Sequence, residues 1–291
     1  MKKIGIIMLI FLGIGIFPAH SQQRSDLYPF SMEFNPDRTL IRINAPEGYE
    51  RYPLEKMDMF QAWLTNLPLS PEGTPLSRWD RQAIMSADSI TAVIDFGVGT
   101  PQQRDADIPM QLVMEFLRAS NSLGDFPIIL DKGDTVTYNK WLAGEYYFNS
   151  AQKIAYKETP KRESSDMEYY RYLQFVITQN ENRSLIRNLI PITEQEIIPG
   201  AIYVQFRKDD PDSAGHAAVI LDVCSNKKGQ NMYLAGWGGS NPAHAFFVAR
   251  PWPISDRTWF TLAELKQQLN EYGDGSFYRF GARFPLPKST Q

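Results

Sequence analysis

The chain has 291 residues, of which 43% are hydrophobic and 22% charged, and this composition excludes a disordered, collagen-like or coiled-coil protein. Its 30 Lys and Arg residues against 33 Asp and Glu give a formal net charge of −3, so no nucleic-acid partner is expected. The length allows one large domain or two ordinary ones.

The first residues have the pattern of an export leader. Lys2 and Lys3 form a short positive segment, residues 4–17 are apolar, and Ala19 and Ser21 place small side chains where a signal peptidase reads. We therefore expect export of the mature chain to the periplasm or to the medium.

The leader sets the expected organisation of the chain. We expect a signal peptide over residues 1–21 and a single α+β domain over residues 22–291, because no repeat or low-complexity linker divides the remainder. A membrane anchor is the alternative, but a spanning helix needs about 20 apolar residues, and Pro18 interrupts this run. No membrane span is expected after cleavage of the leader.

Disulfides and metal centres are not expected. Cys224 is the only cysteine, so no intramolecular disulfide can form. A zinc site needs three or four ligands at recurring spacings, and besides carboxylates the mature chain offers only Cys224, His216 and His244. The sequence therefore predicts no metal and no cofactor.

Four elements are predicted in the first part of the chain. Residues 40–43 are strand-like, and apolar residues spaced by four predict a short helix over residues 57–67 that ends before Pro68. The β-branched run at residues 90–98 predicts a buried strand. A helix with an apolar period of 3.6 is predicted over residues 102–120, so its N-terminus directly follows a strand.

The middle of the chain has a weaker pattern. Residues 125–190 are rich in aromatic side chains, with a polar stretch at residues 157–166 that predicts a surface loop. A helix is predicted over residues 169–177.

The last third alternates strands with turns. A hairpin turn is predicted at residues 226–229. A final helix over residues 261–272 has Thr261 as its N-cap and Glu264 at the capping-box position. Four strands are predicted to form an antiparallel meander: residues 201–207, 216–224, 232–237 and 244–250.

The order of these elements resembles papain-like hydrolases of the NlpC/P60 kind, in which a helix packs on an antiparallel β-meander. In that architecture a Cys at the helix N-terminus is the nucleophile, because the helix dipole favours its thiolate. A His that opens the second meander strand is the base, and a polar residue on the next strand orients it. His216 follows Gly215 at the predicted strand start, so the resemblance implies this α+β fold with a helical insertion.

The nucleophile of this architecture is missing. Cys224 lies eight residues past His216 on one predicted strand, so at about 3.3 Å per residue the two would be roughly 26 Å apart. No Cys–His dyad can form between them. Asp222 would share a strand face with His216 but lie about 20 Å away, so we expect it to pair at the strand end.

A combination of short motifs resembles the bacterial family DUF4846, a domain of unknown function, over roughly residues 41–260. Each motif is weak alone, and their order makes the combination specific. The residues that carry the resemblance are Pro46-Glu47-Gly48-Tyr49, Trp63-Leu64-Thr65-Asn66-Leu67-Pro68-Leu69, residues 92–99, Gln102-Gln103, Ser184-Leu185, Pro199-Gly200, Gly215-His216-Ala217, Asp222 and Pro242-Ala243.

Two departures from the family pattern occur together. In the family the two Gln are followed by Cys-Ala-Asp and the third meander strand carries Leu-Ala-Gln, whereas this chain has Arg104 and Gly236 at the Cys and Gln positions. Arginine is permanently charged and cannot act as a nucleophile. The resemblance therefore implies a degenerate domain, more consistent with an inactive protein than with a cysteine hydrolase, that keeps only the His216 position.

The candidate site residues follow from this layout. His216 is the residual candidate for a catalytic base, and Gln102, Gln103, Arg104 and Trp237 are candidates for ligand binding. Each has a structural alternative. A His at a strand start often bonds to a loop carbonyl, and an exposed Arg before a helix usually has no specific role.

Aromatic and acidic residues near these positions also have two interpretations. Trp237, together with Trp252 and Trp259, could line a cleft for a sugar or peptide, because indole rings stack on such ligands; core packing is the alternative. Asp105 and Asp107 are expected to stabilise the helix N-terminus through their charge.

Three functional hypotheses remain open. The first is an exported, catalytically degenerate papain-like domain that binds a peptide or a cell-wall fragment, or that partners an active relative. The second is an active hydrolase with an unlocated nucleophile such as a Ser, although the sequence has no Gly-x-Ser-x-Gly motif. The third is a secreted, non-enzymatic interaction protein whose apparent cleft is filled by side chains.

Overall fold

The computed structural model of the protein describes residues 27–30, 34–78, 80–96, 104–148, 154–155, 159–179, 183–206, 214–238, 245–252, 256–270 and 274–281. The predicted leader, Gln102 and Gln103 lie outside the described residues.

The described residues form fourteen β-strands and six α-helices. The strands are β1 (Tyr49–Arg51), β2 (Leu76–Ser77), β3 (Ala83–Met85), β4 (Ala92–Asp95), β5 (Ile128–Ile129), β6 (Thr135–Val136), β7 (Tyr147–Phe148), β8 (Ile154–Ala155), β9 (Leu189–Pro191), β10 (Ile202–Phe206), β11 (Ala214–Asn226), β12 (Asn231–Trp237), β13 (Ala245–Val248) and β14 (Gly275–Phe280). The helices are α1 (Met59–Leu64), α2 (Ile108–Ala119), α3 (Tyr138–Ala143), α4 (Asp166–Gln179), α5 (Arg183–Arg187) and α6 (Leu262–Leu269).

One antiparallel sheet of eight strands forms the centre of the molecule. Its order is β4-β13-β12-β11-β10-β14-β9, and β1 pairs with the far end of the long strand β11. The predicted four-strand meander is confirmed, because β10, β11, β12 and β13 are consecutive neighbours. The predicted hairpin turn is also present, with the N–H of Gly229 bonded to the carbonyl of Asn226 at 2.9 Å.

The two faces of this sheet are covered by different helices. Val219 and Leu221 of β11 belong to a large apolar cluster with α1, α2, α3 and α4, and we call this side the α2 face. Ala218 and Ile220 belong to a second cluster with α6, and we call this side the α6 face. The alternation of side chains along a strand accounts for the division.

All four predicted helices are present: α1, α2 and α6 are shorter than predicted, and α4 is longer. A single turn of 3-10 helix, Asp105–Asp107, precedes α2. Pro109 sits in the first turn of α2, where a missing N–H costs no hydrogen bond. At α6 the capping box of Thr261 and Glu264 is present, as predicted.

The prediction of a strand at residues 40–43 is wrong. Leu40–Arg42 is a turn of 3-10 helix, closed by the N–H of Ile43 on the carbonyl of Leu40. Leu40 alone is buried there, and its N–H bonds to the carbonyl of Leu67 at 3.0 Å. The burial of Leu40 and its hydrogen bond to Leu67 hold this turn in place, so the segment needs no partner strand.

The region between α2 and β9 contains α3, α4, α5 and two small hairpins, β5-β6 and β7-β8. The polar stretch at residues 157–166 was predicted to be a surface loop. Its described part, residues 159–166, packs against neighbouring helices. The guanidinium of Arg162 lies 4.1 Å from the ring centroid of Trp141, and its Nε is 3.4 Å from the carboxylate of Glu168. These contacts attach the loop to α3 and α4.

The longest of the six helices in the described residues is α4, with 14 residues. In the part of the chain that the structure describes, none of them is both long enough and apolar enough to span a bilayer.

Candidate functional site

His216 lies near the start of β11, directly opposite Gln205 of β10. Directly paired residues of an antiparallel sheet point to the same face. The side-chain Nε2 of Gln205 donates to the carbonyl of Leu269, the last residue of α6, at 3.2 Å. His216 therefore points to the α6 face. Burial lowers the pKa of its imidazole from 6.5 to about 4, so the ring is neutral at pH 7.

Arg104 directly precedes a turn that packs on the other face of the sheet. It precedes the Asp105–Asp107 turn, and its backbone N–H donates to Oδ2 of Asp107 at 2.8 Å. Ala106 in that turn packs in one cluster with Ala217. Because Ala217 directly follows His216 in a regular stretch of β11, the two side chains point to opposite faces. The sheet therefore lies between the start of α2 and the imidazole.

The position proposed to orient the imidazole also lies on the α2 face. Gly236 pairs with Val219, three residues beyond His216. A Cβ at Gly236 would lie 2.9 Å from Leu221 Cδ1 and 3.0 Å from the ring of Phe246. A side chain there would point into the core under α2, so it could not reach His216.

The prediction that Asp222 shares a face with His216 is wrong. A β-bulge between Ile220 and Asp222 adds one residue to β11, and an added residue reverses the alternation of side chains. Asp222 pairs with Leu234, whose side chain belongs to the α2 face. The expected pairing at the strand end is present, because the buried Asp222 carboxylate forms an ion pair with Arg51 of β1.

Cys224 lies on the same strand as His216, as predicted, and its side chain is fully buried. Burial raises the pKa of this thiol to about 11, and the nearby charge of Arg51 opposes that rise only in part. A buried, protonated thiol is not a nucleophile. Cys224 is therefore a core residue.

The three tryptophans considered as a cleft are not brought together. Trp237 is buried on the α6 face, with its ring 5.4 Å from that of Phe247 and 6.2 Å from that of Phe260. Trp259 is buried in the other cluster. Trp252 is 75% exposed. Of the predicted site residues in the described chain, only Trp237 shares a face with His216.

A surface cavity of about 230 Å³ lies elsewhere, between the start of α1, residues 192–201 and the end of β14. We call it the α1–β14 pocket. Its polar walls are formed by Asp58, Gln61, Glu196 and Arg279. Its apolar wall includes the side chain of Phe60.

Sequence reasoning missed this pocket because its walls come from three segments that are far apart in the chain. The Pro199-Gly200 motif, which contributed to the family resemblance, lines it. Gly200 has a positive φ of +87°, and a Cβ there would approach Phe60 Cε1 to 3.3 Å. The motif shapes the pocket wall, and that was the one signal in the sequence that could have pointed to it.

Among the described residues, no three or more His, Cys, Asp or Glu side chains are grouped so that they could hold a metal ion.

These observations define a mixed α+β protein with helices on both faces of an antiparallel sheet and a small polar pocket at one side. The chain belongs to the DUF4846 family: the model of this family, described as "Domain of unknown function (4846)", matches residues 40–280. No curated protein and no solved structure matches the chain.

Proposed function

We propose that this protein is an exported, catalytically inactive member of its family that binds a peptide or a cell-wall fragment. The observation that carries the proposal is that the turn after Arg104 packs on the sheet face opposite to the side chain of His216. Position 104 has no nucleophile, and the base candidate faces away from the turn that would present one.

The electrostatics of His216 support the same proposal. A general base works best when its pKa lies near the working pH, whereas burial lowers the pKa of this imidazole to about 4. Burial causes this shift, so the environment of His216 favours a neutral ring. An imidazole with so low a pKa is a weak general base at pH 7.

A papain-like ancestry is the finer part of the proposal. Its support is the order of elements, in which a strand is followed by a turn and helix and, later, by a meander whose second strand begins next to Gly215-His216. The Cys and Gln positions would then have been lost together, while the His216 position was kept. The leader pattern at residues 1–21 supports export.

The test is a search for cleavage and covalent labelling. The mature chain is incubated with short peptides and with peptidoglycan fragments, and the products are identified by mass spectrometry. A fluorophosphonate probe reports a reactive Ser, and iodoacetamide reports a reactive thiol. We expect no cleavage and no labelling of the folded protein by either reagent.

Cleavage together with stoichiometric labelling of one residue would contradict the proposal and favour an active hydrolase. Export is tested separately, from the N-terminal sequence of the protein recovered outside the cytoplasm. A mature N-terminus after Ser21 is expected, and recovery only of the uncleaved chain in the cytoplasm would contradict it.

A further inference from the structure

The size of the α1–β14 pocket limits what it can bind. Its volume is about 230 Å³, which corresponds to about eight water molecules at roughly 30 Å³ each. Pockets for drug-sized ligands are about 300–1,000 Å³. This pocket therefore fits one amino-acid residue of a ligand, while the rest of a longer ligand would lie outside.

One hydrogen-bond donor of the pocket wall is unused within the described chain. Gln61 is 8% exposed. Its Oε1 accepts the backbone N–H of Asp58 at 3.0 Å, which completes the capping box of α1. The other end of this amide, Nε2, has no partner among the described residues. This Nε2 is not a fully buried atom, so it is open to the pocket and available to a ligand acceptor.

A positive charge lies in the same pocket. Arg279 of β14 lines it and is exposed, and its guanidinium forms no ion pair within the described part of the chain. It acts on Glu196 from a distance: hydrogen bonds from Thr193 lower the pKa of that carboxyl, and the charge of Arg279 lowers it further. A guanidinium and an amide N–H together are typical of a site for a carboxylate.

The remaining walls fit the rest of an amino-acid residue. Phe60 and Phe280 provide apolar surface. The carboxylate of Asp58 can accept an N–H group, and burial raises its pKa although hydrogen bonds from Gln61 and Phe60 oppose the rise. The pocket thus combines a place for a carboxylate, for an N–H group and for an apolar side chain.

We propose that the α1–β14 pocket binds the C-terminal residue of a short peptide, with the carboxylate on Arg279 and Gln61 and an apolar side chain against Phe60. This inference rests on the proposed function. It adds where the ligand binds and which end of the ligand is recognised. A free amino acid offers the same carboxylate, so the experiment has to separate the two sources.

The experiment is isothermal titration of the mature protein with the tripeptide Ala-Ala-Leu, its C-terminal amide, and free leucine. The amide keeps the side chain and loses only the charge of the carboxylate. We expect the tripeptide acid to bind at least about tenfold more tightly than the amide, since a hydrogen bond to a charged group corresponds to roughly that factor or more. Free leucine is expected to bind more weakly than the tripeptide.

Two variants locate the binding. Arg279→Gln removes the charge, and Gln61→Glu keeps the acceptor that completes the capping box while replacing the donor with a negative oxygen. Each is expected to weaken tripeptide binding at least about tenfold. The matched control is Arg171→Gln, because Arg171 is an exposed arginine of α4 and not a wall of the pocket. Thermal unfolding of each variant checks the fold.

Three results would overturn the inference: equal binding of acid and amide, an affinity unchanged in Arg279→Gln and Gln61→Glu, or no binding at about 10 mM ligand, well above the ~1 mM Kd of a weak specific site. Tighter binding of free leucine than of the tripeptide would assign the pocket to free amino acids. The titrated solutions are then examined for cleaved tripeptide. Cleavage would contradict the proposed function. A tripeptide affinity that is unchanged in both variants would contradict only the assignment of the ligand to this pocket.

Discussion

The buried carboxyl of Glu115 makes the stability of this protein depend on pH in a direction opposite to that of most acidic residues. Glu115 lies on α2 and is 0% exposed. Its nearest cation is Arg118, with NH1 3.6 Å from Oε2. Burial raises the pKa of Glu115 from 4.5 to about 7, and the charge of Arg118 offsets only part of this rise.

The sign of the effect follows from proton binding. Between pH 4.5 and about 7 the folded state holds a proton on Glu115 that the unfolded state has lost. The stabilisation from this group is therefore complete below pH 4.5 and is lost as the pH rises through 7. At about 1.4 kcal/mol per pKa unit, the full loss is about 3 kcal/mol.

The perturbation is Glu115→Gln, which keeps the shape of the side chain and removes the titration. We expect the free energy of unfolding of the variant, relative to that of the parent, to rise by roughly 2–3 kcal/mol between pH 5 and pH 8. Urea unfolding followed by tryptophan fluorescence measures both proteins at each pH. His216 is present in both, so its own titration cancels. Parallel curves for parent and variant would refute the reasoning.

Three other variants test the core and the site. His216→Asn should remove a loss of stability on acidification. The pKa of the imidazole is about 4 in the folded protein and 6.5 without burial, so the unfolded state binds the proton first. An unchanged acid-unfolding midpoint would contradict this. Gly200→Ala should lower the free energy of unfolding by roughly 1–3 kcal/mol, because its φ is positive, and a neutral effect in urea unfolding would show that the backbone can adjust. Arg51→Met should lower the free energy of unfolding by roughly 3–5 kcal/mol, because it leaves the Asp222 carboxylate buried without a cation. Adding Asp222→Asn should recover most of that loss. Equal stability of the single and double variants would contradict the assigned ion pair.

The sequence was sufficient for the elements whose signals are local. The meander follows from apolar strands separated by turn residues, and α6 follows from Thr261 and Glu264, whose capping box needs only residues three apart. The start of α2 was also placed after a strand, and Pro109 in the first turn did not prevent the helix.

The facing of residues along β11 could not be predicted in the same way. A simple alternation from His216 places Asp222 on the same face, but the bulge at Leu221 reverses it. A bulge depends on pairing with β12, so it has no signature in the residues of β11 alone. The pocket was missed for a related reason, since Gln61, Glu196 and Arg279 meet only in the folded chain.

The packing of the loop around Arg162 could not be predicted from its polar composition. Arg162 is a charged residue in a polar stretch, which by composition favours a solvated loop. In the structure its guanidinium stacks on Trp141 and approaches Glu168. A cation can be placed against an aromatic ring and a carboxylate at once, so composition alone did not reveal the packing.

The central claim is that position 104 and His216 cannot form a catalytic pair, and the most direct measurement restores the missing thiol. Arg104→Cys is made in a Cys224→Ala background, and the rate of alkylation by iodoacetamide is measured against pH with and without His216→Ala. A thiol activated by His has a pKa of about 3.5–7.5, against about 8.5 for a free one. We predict that His216→Ala changes the rate at pH 7 by less than about twofold, whereas a tenfold or greater loss would show that the imidazole faces position 104 and would contradict the account.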